Sequence, residues 1–245
     1  MKILVCGKGG CGKSTAVALL ANEIGRRGKM VLVVDSDESN FGLHSLLGME
    51  RPKDFMGYFG GKKVLFEKVK SIEGPLRLDE VPRDYLVEKG NIKLLAVGKI
   101  YDFGEGCACP INALSAKFLE NIEIGKDDFL IADTDAGVEH LGRGVERGCD
   151  AILVIVEPSR ESVEIARRII DMVSTLNKPV YYVLNKVENE TRSALVSYLD
   201  KDRIVAAIPR DDRIFKVGLN GDELDIRLDE IAKIADFLQK EAEQR

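Results

Sequence analysis

Residues 7–15 read Gly-Lys-Gly-Gly-Cys-Gly-Lys-Ser-Thr, and no other stretch constrains the chain as strongly. The run matches G-x-x-x-x-G-K-[ST], between an apolar strand pattern at Ile3–Cys6 and a helical pattern at Lys13–Gly28. Strand, glycine loop and helix together form a phosphate cradle. Glycines let backbone N–H groups converge on anionic oxygens without Cβ clashes, and the helix N-terminus adds a favourable dipole. Gly9, Gly10, Cys11 and Gly12 would frame the cradle. Lys13 would reach the β- and γ-phosphates, Ser14 would ligate Mg²⁺, and Thr15 would touch the α-phosphate. Lys8 is surplus to this scheme. It is either a solvated loop lysine or a cation that reaches a neighbouring subunit's nucleotide.

The remainder of the 245 residues alternates short β-rich runs with helical patterns. Strands are expected at Met30–Asp35, Ile92–Val97, Phe129–Asp133, Ala151–Val156, Val180–Leu184 and Ile204–Ile208. Helices are expected at Ile111–Ile124, Ser159–Leu176, Glu190–Leu199 and Leu224–Glu243. Unbroken apolar strands alternating with helices predict an α/β fold: a mostly parallel, doubly wound sheet covered on both faces. Residues 51–90 are rich in Lys, Glu and Asp and carry no strong strand, so they read as a surface insertion within a single domain spanning 1–245. The formal net charge of −5 argues against a nucleic-acid partner. No apolar run is long enough to span a membrane, and Lys8 and Lys13 interrupt any signal-like N-terminus, so a cytoplasmic protein with reduced cysteines is expected.

The phosphate loop G-K-G-G-x-G-K-S-T resembles the deviant Walker A motif of the SIMIBI-class P-loop ATPases that include nitrogenase iron protein, the septum-site and partition ATPases, and nickel-insertion ATPases. In that family the first lysine, here Lys8, acts across an ATP-bound sandwich dimer. The resemblance implies ATP and Mg²⁺ as ligands and extends to other strand ends. Asp35-Ser36-Asp37-Glu38-Ser39-Asn40 stands where the family places switch I, with Asp37 positioning the attacking water; otherwise the segment is a polar loop capping a helix at Phe41–Leu47. Asp133-Thr134-Asp135-Ala136-Gly137 stands at switch II. There Asp133 would hold the Mg²⁺ hydration shell and the Gly137 N–H would sense the γ-phosphate. Asn185 resembles the family's adenine-contacting residue, and the segment Pro209-Arg210-Asp211 resembles the part that closes over the base.

Cys107 and Cys109, in Gly-Cys-Ala-Cys-Pro, raise a separate question. Pro110 suits the first turn of the following helix, and thiols near a helix N-terminus ionise more readily. Two thiolates are half of a tetrahedral metal site. Cys6 and Cys149 read as core and Cys11 as a small loop residue; His44 and His140 lack ligand spacing, and His140 reads as solvated or capping. Either the pair is two small buried apolar residues of a loop, or two-fold symmetry supplies the missing half: in a homodimer two C-x-C pairs would meet and make one four-sulfur site. Sulfur ligands accept either Ni²⁺ or Zn²⁺. The pattern is closest to the nickel-insertion ATPases of carbon monoxide dehydrogenase maturation, which implies that enzyme as client and nickel as cargo. The alternatives are a septum- or partition-type spatial regulator and an iron–sulfur carrier. The acidic C-terminal helix, read as packed on the domain and not as a membrane anchor, counts against the regulator, and the C-x-C spacing against the carrier.

Overall fold

The computed structural model describes residues 1–61, 64–65, 68–69, 74–101, 109–138 and 140–245. Eight strands form one sheet: β1 (Lys2–Gly7), β2 (Val31–Asp35), β3 (Val87–Lys89), β4 (Ile92–Ala96), β5 (Phe129–Asp133), β6 (Ala151–Val156), β7 (Val180–Val187) and β8 (Ile204–Pro209). Their order is β3-β4-β2-β5-β1-β6-β7-β8. Every adjacent pair is parallel except β3 with β4. The described helices are α1 (Lys13–Arg26), α2 (Leu43–Leu46), α3 (Cys109–Asn121), α4 (Arg160–Val173), α5 (Asn189–Tyr198), α6 (Asp212–Asn220) and α7 (Asp229–Glu243).

Alternation along each strand feeds two apolar layers. Leu4, Cys6, Leu32 and Val34 face one side and pack with Ile111, Leu114 and Phe118 of α3 and Ile169 of α4. Ile3, Val5, Val31 and Val33 face the other, with α1 and the Ile231, Ile234 and Leu238 stripe of α7. Burying each such side chain contributes about 1.5–3 kcal/mol, so the two layers dominate the folding energy. The C-terminal helix is therefore docked on the domain. Among the described residues no helix is long and apolar enough to cross a membrane.

All seven expected strands are present, two at the expected bounds and the others with an end shifted by up to three residues. The antiparallel edge strand β3 and the helix α6 were not anticipated. β3 is short and mostly exposed, so it lacks an apolar signature. The α6 side chains are not buried, and Phe215 and Leu219 remain exposed. The C-terminal helix begins at Asp229, later than the expected Leu224, because Leu224 is spent in an extended segment bonded to Leu46. The described part of 51–90 includes short 3₁₀ turns and the edge strand β3, and it is anchored by buried Phe55, which lies 5.5 Å edge-on from Phe118.

Candidate functional site

The strand order reverses about β1, whose neighbours β5 and β6 lead away in opposite directions. In a doubly wound sheet the carboxyl ends at that reversal form the ligand crevice. The glycine loop, Asp35, Asp133 and Glu157 all stand there, at or just beyond the ends of β1, β2, β5 and β6.

The loop geometry depends on glycine at two positions. Gly10 and Gly12 have φ of 75° and 96°, the left-handed region that side-chain-bearing residues avoid. A Cβ on Gly12 would lie 2.4 Å from Asn185 Nδ2. That amide donates to the Cys11 carbonyl at 2.8 Å and ties the loop to the end of β7. Lys13 is buried at the start of α1, whose first-turn N–H groups have no partner within the helix. Cys11 is fully buried, and burial pushes its thiol up to about 11. Its side chain packs in the core, and its backbone carbonyl accepts from Asn185 within the loop.

Ser14 joins the carboxylate and switch segments. Its hydroxyl donates to Asp133 Oδ2 at 2.5 Å and accepts from Asn40 Nδ2 at 2.6 Å. Asp133 has no exposed surface, and its Oδ1 finds no hydrogen-bond partner among the described residues. Burial, together with the neighbouring Asp35 charge, pushes Asp133 up to about 7. Burial likewise raises Asp35 to about 6 against the pull of Lys99. Such a site has anionic oxygen to spare beside a serine hydroxyl, the donor chemistry of a hard divalent cation. Asp37 Oδ1 accepts from the Ser39 N–H, the Ser39 hydroxyl and the Asn40 N–H at 2.9, 2.7 and 3.2 Å, which fixes the carboxylate's direction. Asn40 Oδ1 accepts from Gly42 N–H, a turn leading into α2. Gly137 (φ 90°) donates to Gly7 O at 3.0 Å, so switch II closes against the glycine loop.

A cleft of about 800 Å³ opens beside the loop, lined by Thr15, Leu19, Asn185, Pro209, Arg210 and Phe215. Asn185 and the Pro209–Asp211 segment thus share one wall system with the cradle. The Asp211 carboxylate caps α6 through Arg213 N–H at 2.8 Å and pairs with the Arg213 guanidinium at 2.6 Å, which holds it below the usual range.

Several contacts at the site carried no sequence signal. Lys8 Nζ sits 2.6 Å from Glu157 Oε1 and 3.8 Å from Glu161. Lys186 Nζ sits 3.0 Å from Glu157 Oε2 and also donates to the Gly10 carbonyl. Although burial works to raise it, these hydrogen bonds hold Glu157 below the ordinary glutamate range. Glu157 was legible only as the residue after an apolar strand. Lys99 is fully buried, which hydropathy assigns to no lysine. The reading of His140 as solvated or capping is corrected. It is 1 % exposed, with Nδ1 2.9 Å from Asp135 and Nε2 3.4 Å from the Thr134 hydroxyl, because Leu141 and Val145 draw the following turns into the core.

Cys109 is half-buried and lies within α3, so it belongs to the helix instead of preceding it. Cys107 lies outside the described residues. Cys6 and Cys149 are buried, and burial pushes both thiols up, Cys149 to about 12. Among the described residues no group of three or more His, Cys, Asp or Glu side chains could hold a metal within one chain.

Residues 2–224 match the model of the CobQ/CobB/MinD/ParA nucleotide-binding domain. An uncharacterized ATP-binding protein of Methanocaldococcus jannaschii is 47% identical over 249 residues, covering 98% of this chain and 100% of its own length. The carbon monoxide dehydrogenase accessory protein CooC of Rhodospirillum rubrum is 30% identical over 226 residues, covering 87% of this chain and 85% of its own. The septum site-determining protein MinD of Pyrococcus horikoshii, solved with Mg-ADP, superposes with a TM-score of 0.72 at 19% identity over 98% of this chain and 96% of that one.

Proposed function

The chain belongs to the CobQ/CobB/MinD/ParA nucleotide-binding family, and on that premise we propose that it is an ATP-hydrolysing metallochaperone working as a homodimer. Two copies hold one nickel or zinc ion through Cys107 and Cys109 of each, and nucleotide turnover drives nickel insertion into carbon monoxide dehydrogenase. The observation that carries the ATPase half is the Ser14–Asp133 pair, with Asp133 Oδ1 left for a further ligand. The metal half leans on Cys109 at the start of α3 and on the likeness to the carbon monoxide dehydrogenase accessory protein.

The residues present fit Mg²⁺. Ser14 and Asp133 would hold the ion and its hydration shell. A bound Mg²⁺ neutralises phosphate charge and draws electrons from the scissile oxygen. The chain's own groups do the rest. Lys13 and the backbone N–H groups of Gly9–Ser14 bind and orient the phosphates. The Gly137 N–H, which donates to the Gly7 carbonyl in the free chain, would leave that acceptor to report on the γ-phosphate. Asp37, its Oδ1 locked by three donors, orients water for in-line attack. Asn185 and the Pro209–Asp211 segment flank the base, with Leu19 and Phe215 as apolar walls.

Lys8 completes the arrangement from the other copy. In the single subunit it is latched on Glu157, and joining a partner's nucleotide requires it to leave that carboxylate. Each active centre is thus short of one cation until two copies meet, and the same encounter brings the cysteine pairs together. Lys8→Ala tests this directly. The variant is expected to bind nucleotide normally while losing ATP-dependent dimerisation and hydrolysis. Undiminished turnover would show that each subunit works alone.

A further inference from the structure

Lys99 follows β4 and is 1 % exposed, among the largest fully buried side chains of the protein. Its ammonium has three donors and meets three acceptors: Asp35 Oδ2 at 2.8 Å, the Asp37 carbonyl and the Asn40 carbonyl. It therefore grips both ends of the turn that carries Asp37. One residue on, Ile100 N–H donates to Glu38 O at 3.1 Å, in the same turn. Two residues on, the Tyr101 ring packs edge-on against Phe41 at 5.7 Å, and the Arg51 guanidinium lies over both rings. The segment after β4 is stitched along its length to the segment after β2.

On its other side Lys99 adjoins Gly98, which packs against the cysteine-bearing helix. A Cβ on Gly98 would come within 3.0 Å of Met56 Sδ and 3.3 Å of Ile111 Cγ1, and Ile111 is in the same helical turn as Cys109. Hydrogen bonds thus run from Ser14 to the Asn40 side chain and from the Asn40 carbonyl to Lys99, and the adjacent residue, Gly98, lies so close to Ile111 of α3 that it has little room for a side chain. Ser14 lies against the Asp133 corner, so a shift of Asn40 on nucleotide exchange would displace Lys99, which has no solvent into which to relax.

We propose that Lys99 is the positioning residue that transmits the nucleotide state of the Ser14–Asn40 corner to Cys109. This deepens the metallochaperone reading and rests on it for its purpose. Its readout is the Cys109 thiol itself, with no metal present, so failure of the metal site and failure of the link are separable. The probe is the iodoacetamide alkylation rate of Cys109, followed by peptide mass mapping. It is measured without nucleotide, with ADP and with a non-hydrolysable ATP analogue, at a dilution where light scattering shows monomer.

In the unaltered chain the two nucleotides are expected to change the rate by about fivefold or more relative to each other, the usual lower range of coupling between sites. Lys99→Met leaves Asp35 buried without its cation and can fail to fold, so the decisive chain is Lys99→Met/Asp35→Asn. That double variant removes the charge pair together but leaves the two switch carbonyls untethered. It is expected to bind nucleotide and show no nucleotide-dependent change at Cys109, while Asp35→Asn alone keeps the response. Four results would overturn the proposal: an undiminished response in the double variant, a lost response in Asp35→Asn alone, no response in the unaltered chain, or loss of nucleotide binding itself in the double variant. The last would place Lys99 in the service of the pocket and not of the link.

Discussion

Glu157→Gln offers a quantitative test of the Lys8 latch. The substitution keeps shape and removes the charge that holds Lys8 at 2.6 Å and Lys186 at 3.0 Å. Both pairs reach solvent, with side chains 15–45% exposed, so each is discounted to the range of exposed ion pairs, about 0.5 kcal/mol, or about 1 kcal/mol together. The free subunit should lose that much stability. Only the Lys8 pair, about 0.5 kcal/mol, is given up on dimerisation, and it is given up once in each copy, so its loss favours the dimer by about 1 kcal/mol. About 1 kcal/mol is a factor of about five, so the protein concentration for half-dimerisation with a non-hydrolysable ATP analogue should fall about fivefold by analytical ultracentrifugation. Acidity provides an internal control. Glu157 titrates below its ordinary value of about 4.5 in the folded chain. Its stabilisation is therefore fully present above that value and is lost as pH falls through the folded-state pKa. The gap between the unaltered chain and Glu157→Gln should be constant at neutral pH and close on acidification. Weaker ATP-dependent association of the variant would refute the latch, because Glu157 would then be serving the dimer.

Three further outcomes follow from the geometry. Lys99→Met should destabilise the chain by about 3–5 kcal/mol in urea titration, the cost of breaking a buried ion pair, and adding Asp35→Asn should recover much of it. Gly12→Ala forces a side chain into a φ of 96° and 2.4 Å from the Asn185 amide. With about 1 kcal/mol for each of the strained backbone and the broken hydrogen bond, equilibrium dialysis should show nucleotide affinity reduced by at least about tenfold. Asp133→Asn should leave nucleotide binding without divalent ions nearly intact and abolish its enhancement by Mg²⁺, read by the same dialysis with and without the metal.

Much of this fold was legible because parallel strands buried on both faces announce themselves as apolar runs, and phosphate chemistry needs glycines at particular places. Ala151–Val156 and Phe129–Asp133 are found at the expected bounds, and the structure brings Ser14 against Asp133 and Asn40, and Asn185 against the glycine loop. What stayed hidden depends on tertiary contact. β3 pairs only along β4 and has no apolar face of its own. Lys99 looks like any surface lysine until Asp35, Asp37 and Asn40 are folded around it. Glu157 becomes meaningful only when the first loop folds back against the end of β6. His140 was misjudged because the core pull of the residues after it is not periodic.

The central claim is that the metal site is built from two chains. Metal analysis of the purified nucleotide-bound dimer decides it, with and without Cys107→Ser/Cys109→Ser. The account predicts one nickel or zinc ion per two chains, lost in the double variant while ATP binding persists. One ion per chain, or a metal content indifferent to the two substitutions, would contradict it.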